Sequence, residues 1–142
     1  MRITGRAGLW AALLLALLVG APAEADLDLA KALVGRWEGE VQVLGVGTRE
    51  NPQRTLIIGA VTQQDGKWSA TGRWGITGKG LARVLIEVDA SGARPRLRFV
   101  TDVNATVRVE LLDDRHLVGT FTRREVGGTL GSDRALTLEK KE

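Results

Sequence analysis

Any covalent or acid–base chemistry in this chain has to be built around one histidine, because the sequence holds no cysteine and a single imidazole, His116. A nucleophilic triad needs that base beside a serine or cysteine. His116 instead follows the Asp113-Asp114-Arg115 turn signal, while Ser69, Ser91 and Ser132 fall on an outward strand face or in loops with no motif around them. Metal chemistry fares no better. There is no His/Cys cluster, Asp113-Asp114 is ordinary turn composition, and Gly131-Ser132-Asp133 offers too few oxygens for calcium.

Gly72-Arg-Trp-Gly75-Ile-Thr-Gly78-Lys79-Gly80 has the glycine content of a phosphate loop, but Arg73 stands where a Walker glycine is required and Gly80 where the hydroxyl residue belongs. No helix follows to offer its N-terminus to phosphate. The carboxylates that a glycosidase pair would need, Glu38, Glu40, Glu87 and Glu110, all alternate onto outward faces. These readings predict a protein that is not an enzyme and that uses no cofactor and no metal.

The elements that position these residues are strands. Trp68, Ala70, Gly72 and Trp74 alternate with Lys67, Ser69, Thr71 and Arg73, and Trp37, Gly39, Val41 and Val43 alternate with Glu38, Glu40 and Gln42. Period-two patterning of this kind marks a sheet with one buried and one wet face. Further strands are expected over Arg54 to Val61, Ala82 to Val88, Arg96 to Thr101, Thr106 to Leu112, His116 to Arg123 and Ala135 to Lys140. Their inward sets are Val84/Ile86/Val88, Leu97/Phe99/Thr101, Val107/Val109/Leu111, Leu117/Gly119/Phe121 and Leu136/Leu138. The consecutive Leu56, Ile57 and Ile58 leave the inward face of the second strand open. Asp26 to Leu33 forms a helix of about two turns, with an aspartate to cap it and Gly35 to stop it.

Eight strands joined by loops, with no intervening helix, predict an all-β, antiparallel, up-and-down barrel, with a sandwich as the alternative. Closure requires the first and last strands to pair, Val41 beside Leu136 to Leu138. The loops fall into two groups. Gln64-Asp65-Gly66, Ala90 to Arg94 and Asp113-Asp114-Arg115 would gather at the end near the helix, whereas Gly45 to Gln53, Gly75 to Gly80 and Arg124 to Arg134 would form a longer, glycine-rich open end.

The Gly35-x-Trp37-x-Gly39 opening after a short helix resembles that of the calycins, the lipocalins, avidins and related bacterial barrels. With the Asp65-Gly66-Lys-Trp68 turn and the Leu117-Val-Gly119-Thr-Phe121 strand, the chain resembles a lipocalin-like domain of secreted bacterial proteins across nearly all of residues 26–142. The resemblance implies the fold more than the function. It gives Gly35, Trp37 and Gly39 a structural role at the closed end, with a basic side chain from near the last strand, Lys140 or Arg134, on the tryptophan. Two narrower members do not fit. Avidin-like biotin binding uses a tyrosine, and there is none; nitrobindin-like haem binding needs an axial histidine, and His116 points outward.

Residues 1–25 read as a Sec-type signal peptide. Arg2 and Arg6 precede an apolar run from Leu9 to Gly20, and Ala23-Glu-Ala25 forms a cleavage site. That run is shorter than the roughly 20 residues of a membrane span. Cleavage after Ala25 would leave 18 basic against 16 acidic groups, a balance of +2, in a periplasmic or secreted domain of residues 26–142 without a membrane span. The charges alternate along strands and few aromatics accompany them, unlike a nucleic-acid interface.

The expected function is to bind an apolar or amphiphilic small molecule at the open end, through Trp74, Thr101, Phe121 and Arg123, with Lys79, Arg49 and Asn51 on the rim. Trp74 also reads as plain core. Arg123 would pair with an acidic head in a fork-like geometry. The alternative is a non-enzymatic interaction module, a filled barrel that docks on an envelope protein partner. The small inward residues fit either a cavity or a collapsed interior.

Overall fold

The computed structural model describes residues 28–43, 50–124 and 130–142, and the signal peptide expected over residues 1–25 lies outside them. A short helix, α1, covers residues 28–33. Leu33–Glu142 forms one compact unit.

The strands are β1 (Gly35–Val41), β2 (Gln53–Gln64), β3 (Lys67–Ile76), β4 (Ala82–Asp89), β5 (Arg96–Val100), β6 (Ala105–Asp113), β7 (His116–Arg124) and β8 (Leu130–Lys141). Each pairs antiparallel with the next, and β1 pairs with β8, so the sheet closes into an up-and-down barrel. Val41 faces Leu136 and Gly39 faces Leu138 across that closure. Closure gives every strand two neighbours and leaves no exposed sheet edge to seed association.

Alternation set by the pleat decides what is inside. Trp37, Val41, Ala70, Trp74, Val84, Ile86, Val88, Leu97, Phe99, Val107, Val109, Leu117, Phe121, Leu136 and Leu138 are buried, as the sequence pattern predicts. The strand whose face the pattern left open turns Arg54, Leu56 and Ile58 inward. A bulge between Ile58 and Ala60 then shifts its register against β3. Several strands run past their predicted limits: β2 continues to Gln64 and β8 begins at Leu130, while β5 stops at Val100. The β2–β3 turn is the two-residue Asp65-Gly66, with φ of 53° and 76°, the primed geometry that matches the twist of a hairpin.

Two motif glycines are there because neighbouring strands press on them. A Cβ at Gly39 would lie 1.8 Å from the Thr137 carbonyl oxygen, and one at Gly119 would lie 1.9 Å from that of Arg108. The absence of a side chain at these positions lets the paired strands β1/β8 and β6/β7 approach closely.

Candidate functional site

The open end is built from the starts of β2 and β4, the ends of β3 and β7, and the loops between them. Under the β3–β4 loop lies a cavity of about 320 Å³, lined by Glu50, Arg54, Trp74, Ile76, Phe121 and Arg123 among others. Lys79 and Gly80 of that loop, and Asp102 and Val103 of the β5–β6 loop, complete its rim. Of the residues expected to bind at this end, Trp74, Phe121, Arg123 and Lys79 meet around this one cavity. Arg49 lies outside the described residues.

Thr101 is placed differently. It is buried, its hydroxyl accepts the Ala105 N–H at 3.1 Å, and its own N–H donates to the Ala105 carbonyl at 2.8 Å. Its polar groups close the β5–β6 turn. Asn51 also serves the backbone, its side-chain oxygen accepting the Gln53 N–H at 2.9 Å.

Trp74 is the floor of the site as well as core. Its ring meets Phe99 edge-on at 5.4 Å between centroids and stacks on Phe121 at 6.3 Å. Only 3% of the residue is exposed, so a ligand would touch one margin of the indole and leave the rest in the barrel. Trp74 is therefore core, with one margin in the cavity lining.

Arg54 is the residue that the sequence pattern missed. It is 7% exposed, turns into the barrel from the first rungs of β2, and places its guanidinium carbon 5.9 Å from the Phe121 ring centroid. Its Nη1 donates to the Asn51 carbonyl and, at 3.1 Å, to that of Gln53. Its Nη2 lies 3.9 Å from Glu50 Oε1, an oxygen that also accepts from Arg134 Nη1 at 2.5 Å. Burial lowers the pKa of Arg54 from its ordinary value, Glu50 opposes that shift, and the neighbouring charges of Arg134 and Arg123 add to it. Four cationic groups, Arg54, Arg123, Arg134 and Lys79, thus converge with two carboxylates, Glu50 and Asp102.

No family model, curated protein or solved structure matches this chain. The site must speak through its own chemistry. The cavity combines buried aromatic rings and the buried guanidinium of Arg54 with the charged side chains of Arg123, Lys79 and Asp102 on its rim.

A larger concavity, about 930 Å³, lies along β4 to β7, but its walls include Glu87, Arg98, Arg108 and Glu110. Glu87 pairs with Arg98 at 3.6 Å and Glu110 with Arg94 at 4.0 Å, as on a solvated face. At the opposite end of the barrel from the candidate site, Trp37 is fully buried and donates its Nε1–H to the Leu33 carbonyl at 2.9 Å. Lys140, not Arg134, lies over its ring. His116 sits at that end too, its Nδ1 2.8 Å from Asp113 Oδ1 across a two-residue turn.

Proposed function

We propose that this protein is a lipocalin-like, non-enzymatic carrier of the periplasm or extracellular space, and that it takes an apolar or amphiphilic small molecule into the open end of its barrel. One observation carries the reading: Trp74 and Phe121 line a cavity of about 320 Å³ beneath the β3–β4 loop, and a buried arginine shares it with them. That volume sits at the lower end of the range for small-molecule sites. It suits a short acyl chain or a compact ring system, with the rim charges fixing its orientation.

The test is native mass spectrometry of the protein purified from the periplasm of an expressing bacterium, followed by extraction of any adduct. A stoichiometric apolar adduct supports the carrier reading, and a start at Asp26 supports export. A bare mass, with no thermal shift from fatty acids or their alcohols, overturns it in favour of a barrel that docks on an envelope protein.

A further inference from the structure

We propose that Glu50 holds, within the chain itself, the place of a ligand carboxylate, and that the site takes an apolar molecule whose single carboxylate head displaces Glu50 from Arg54. The proposal rests on the carrier reading and adds to it the charge class of the ligand, the residue that anchors it and the contact it must break.

Glu50 is bound unequally. Its Oε1 accepts from Arg134 at 2.5 Å but stays 3.9 Å from Arg54 Nη2, beyond hydrogen-bond reach. Arg54 satisfies Nη1 on two backbone carbonyls, so its guanidinium is fixed in direction, while among the described residues Nη2 has a loose ionic partner in Glu50 and no close one. A planar guanidinium held this way is pre-organised for a carboxylate and lacks close contact with one. The cavity joins Arg54 to Trp74, Ile76 and Phe121, so a head on Nη2 would leave its tail against apolar groups.

The local charge balance points the same way. Arg54 carries a desolvated positive charge, with Arg123 and Arg134 close enough to destabilise it and Glu50 as its compensating anion. An arriving carboxylate could replace that compensation at closer range, because Glu50 can leave Arg54 while keeping its bond to Arg134. Glu50 therefore acts as an internal competitor. It keeps Arg54 compensated when the cavity holds no anion, and it weakens every anionic ligand by the strength of the contact to be broken.

The experiment compares decanoate with decan-1-ol by isothermal titration at low salt, in the wild-type chain and in Glu50→Gln. Glu50→Gln removes the competing charge but keeps the shape, and its expected effect is to raise selectivity for decanoate over decan-1-ol about tenfold. Arg134→Gln frees Glu50 to close on Arg54 and is expected to lower that selectivity. Arg54→Met should abolish it, with folding checked by circular dichroism. Selectivity unchanged or reduced in Glu50→Gln, while decan-1-ol binds both proteins, overturns the proposal and leaves the carrier reading standing. Failure of both probes to bind the wild-type chain removes the carrier reading, and this proposal with it.

Discussion

The ammonium group of Lys140 lies 5.5 Å from the centroid of the Trp37 ring, which is fully buried at the start of β1. Gly35 makes the arrangement possible. Its φ of +145° disfavours a side chain, and a Cβ there would come within 2.9 Å of Lys140 Cε. Gly35 and Trp37 thus act together: one clears the path of the lysine stem and the other receives its charge. Since β1 and β8 pair Trp37 with Lys140, the contact also ties the first strand to the last.

Replacing Lys140 by methionine keeps the stem and removes the charge. It should lower stability by about 0.5–1 kcal/mol, the value of a cation–π contact near the surface. Urea unfolding checks this, and an unchanged midpoint would show that the lysine contributes only its hydrocarbon. Trp37→Phe should cost more, because the Leu33 carbonyl loses its donor and the barrel end loses ring volume.

Gly119→Ala should destabilise the barrel by about 3 kcal/mol or more, near the upper end for overpacking, because the obstacle is backbone and cannot rotate away. The Arg108 carbonyl sits 1.9 Å from the new methyl position. Gly80→Ala is the control, since nothing lies within 4 Å of its Cβ position. Equal melting temperatures for the two variants would contradict the crowding seen at β6–β7.

The architecture was legible because alternation is a local property, and seven strands carried it cleanly. β2 did not. Leu56, Ile57 and Ile58 supply apolar residues to both faces, so hydrophobicity could not choose between Arg54/Leu56/Ile58 and Thr55/Ile57. The structure takes the first set, and with it buries the charge of Arg54. Parity in β3 and β7 places Trp74, Phe121 and Arg123 on the inward face; both rings are buried, but Arg123 is exposed at the cavity rim, where the pairing of β7 with β8 shifts register and Thr122 is buried instead. Sequence reasoning missed the Glu50–Arg134 pair because those residues are 84 positions apart and meet only when the barrel closes. Thr101 was read as a ligand contact because parity sees direction and not the turn that its hydroxyl closes.

Trp74 should be tested with a conservative change, because removing the ring would damage the core. Trp74→Ala takes away the partner of both Phe99 and Phe121 and should cost about 3–5 kcal/mol. Trp74→Phe keeps an aromatic floor and should fold with a smaller loss, while weakening decanoate binding several-fold through the lost indole margin. Titration of the folded variant decides: unaltered affinity would confine Trp74 to a packing role.

Acid should remove two local contributions to stability. Asp89 is held below its ordinary value of 3.8 chiefly by the Ser91 hydroxyl at 2.5 Å, with help from the Ser91 N–H and Arg96. Asp113 is lowered chiefly by the Arg115 N–H at 2.8 Å, and then by the His116 ring. A carboxylate whose folded pKa lies below its unfolded value stabilises the fold fully above the unfolded pKa, and loses that contribution as pH falls through the folded one. Asp89→Asn/Asp113→Asn should therefore be less stable than the wild-type chain at neutral pH, with a gap that holds down to about pH 5 and closes toward about pH 2. Both side chains are exposed and each closes a turn at the end away from the candidate site. Decanoate binding should be unchanged in the folded variant, and a stability gap that persisted undiminished at acid pH would show that these turns depend on side-chain shape and not on charge.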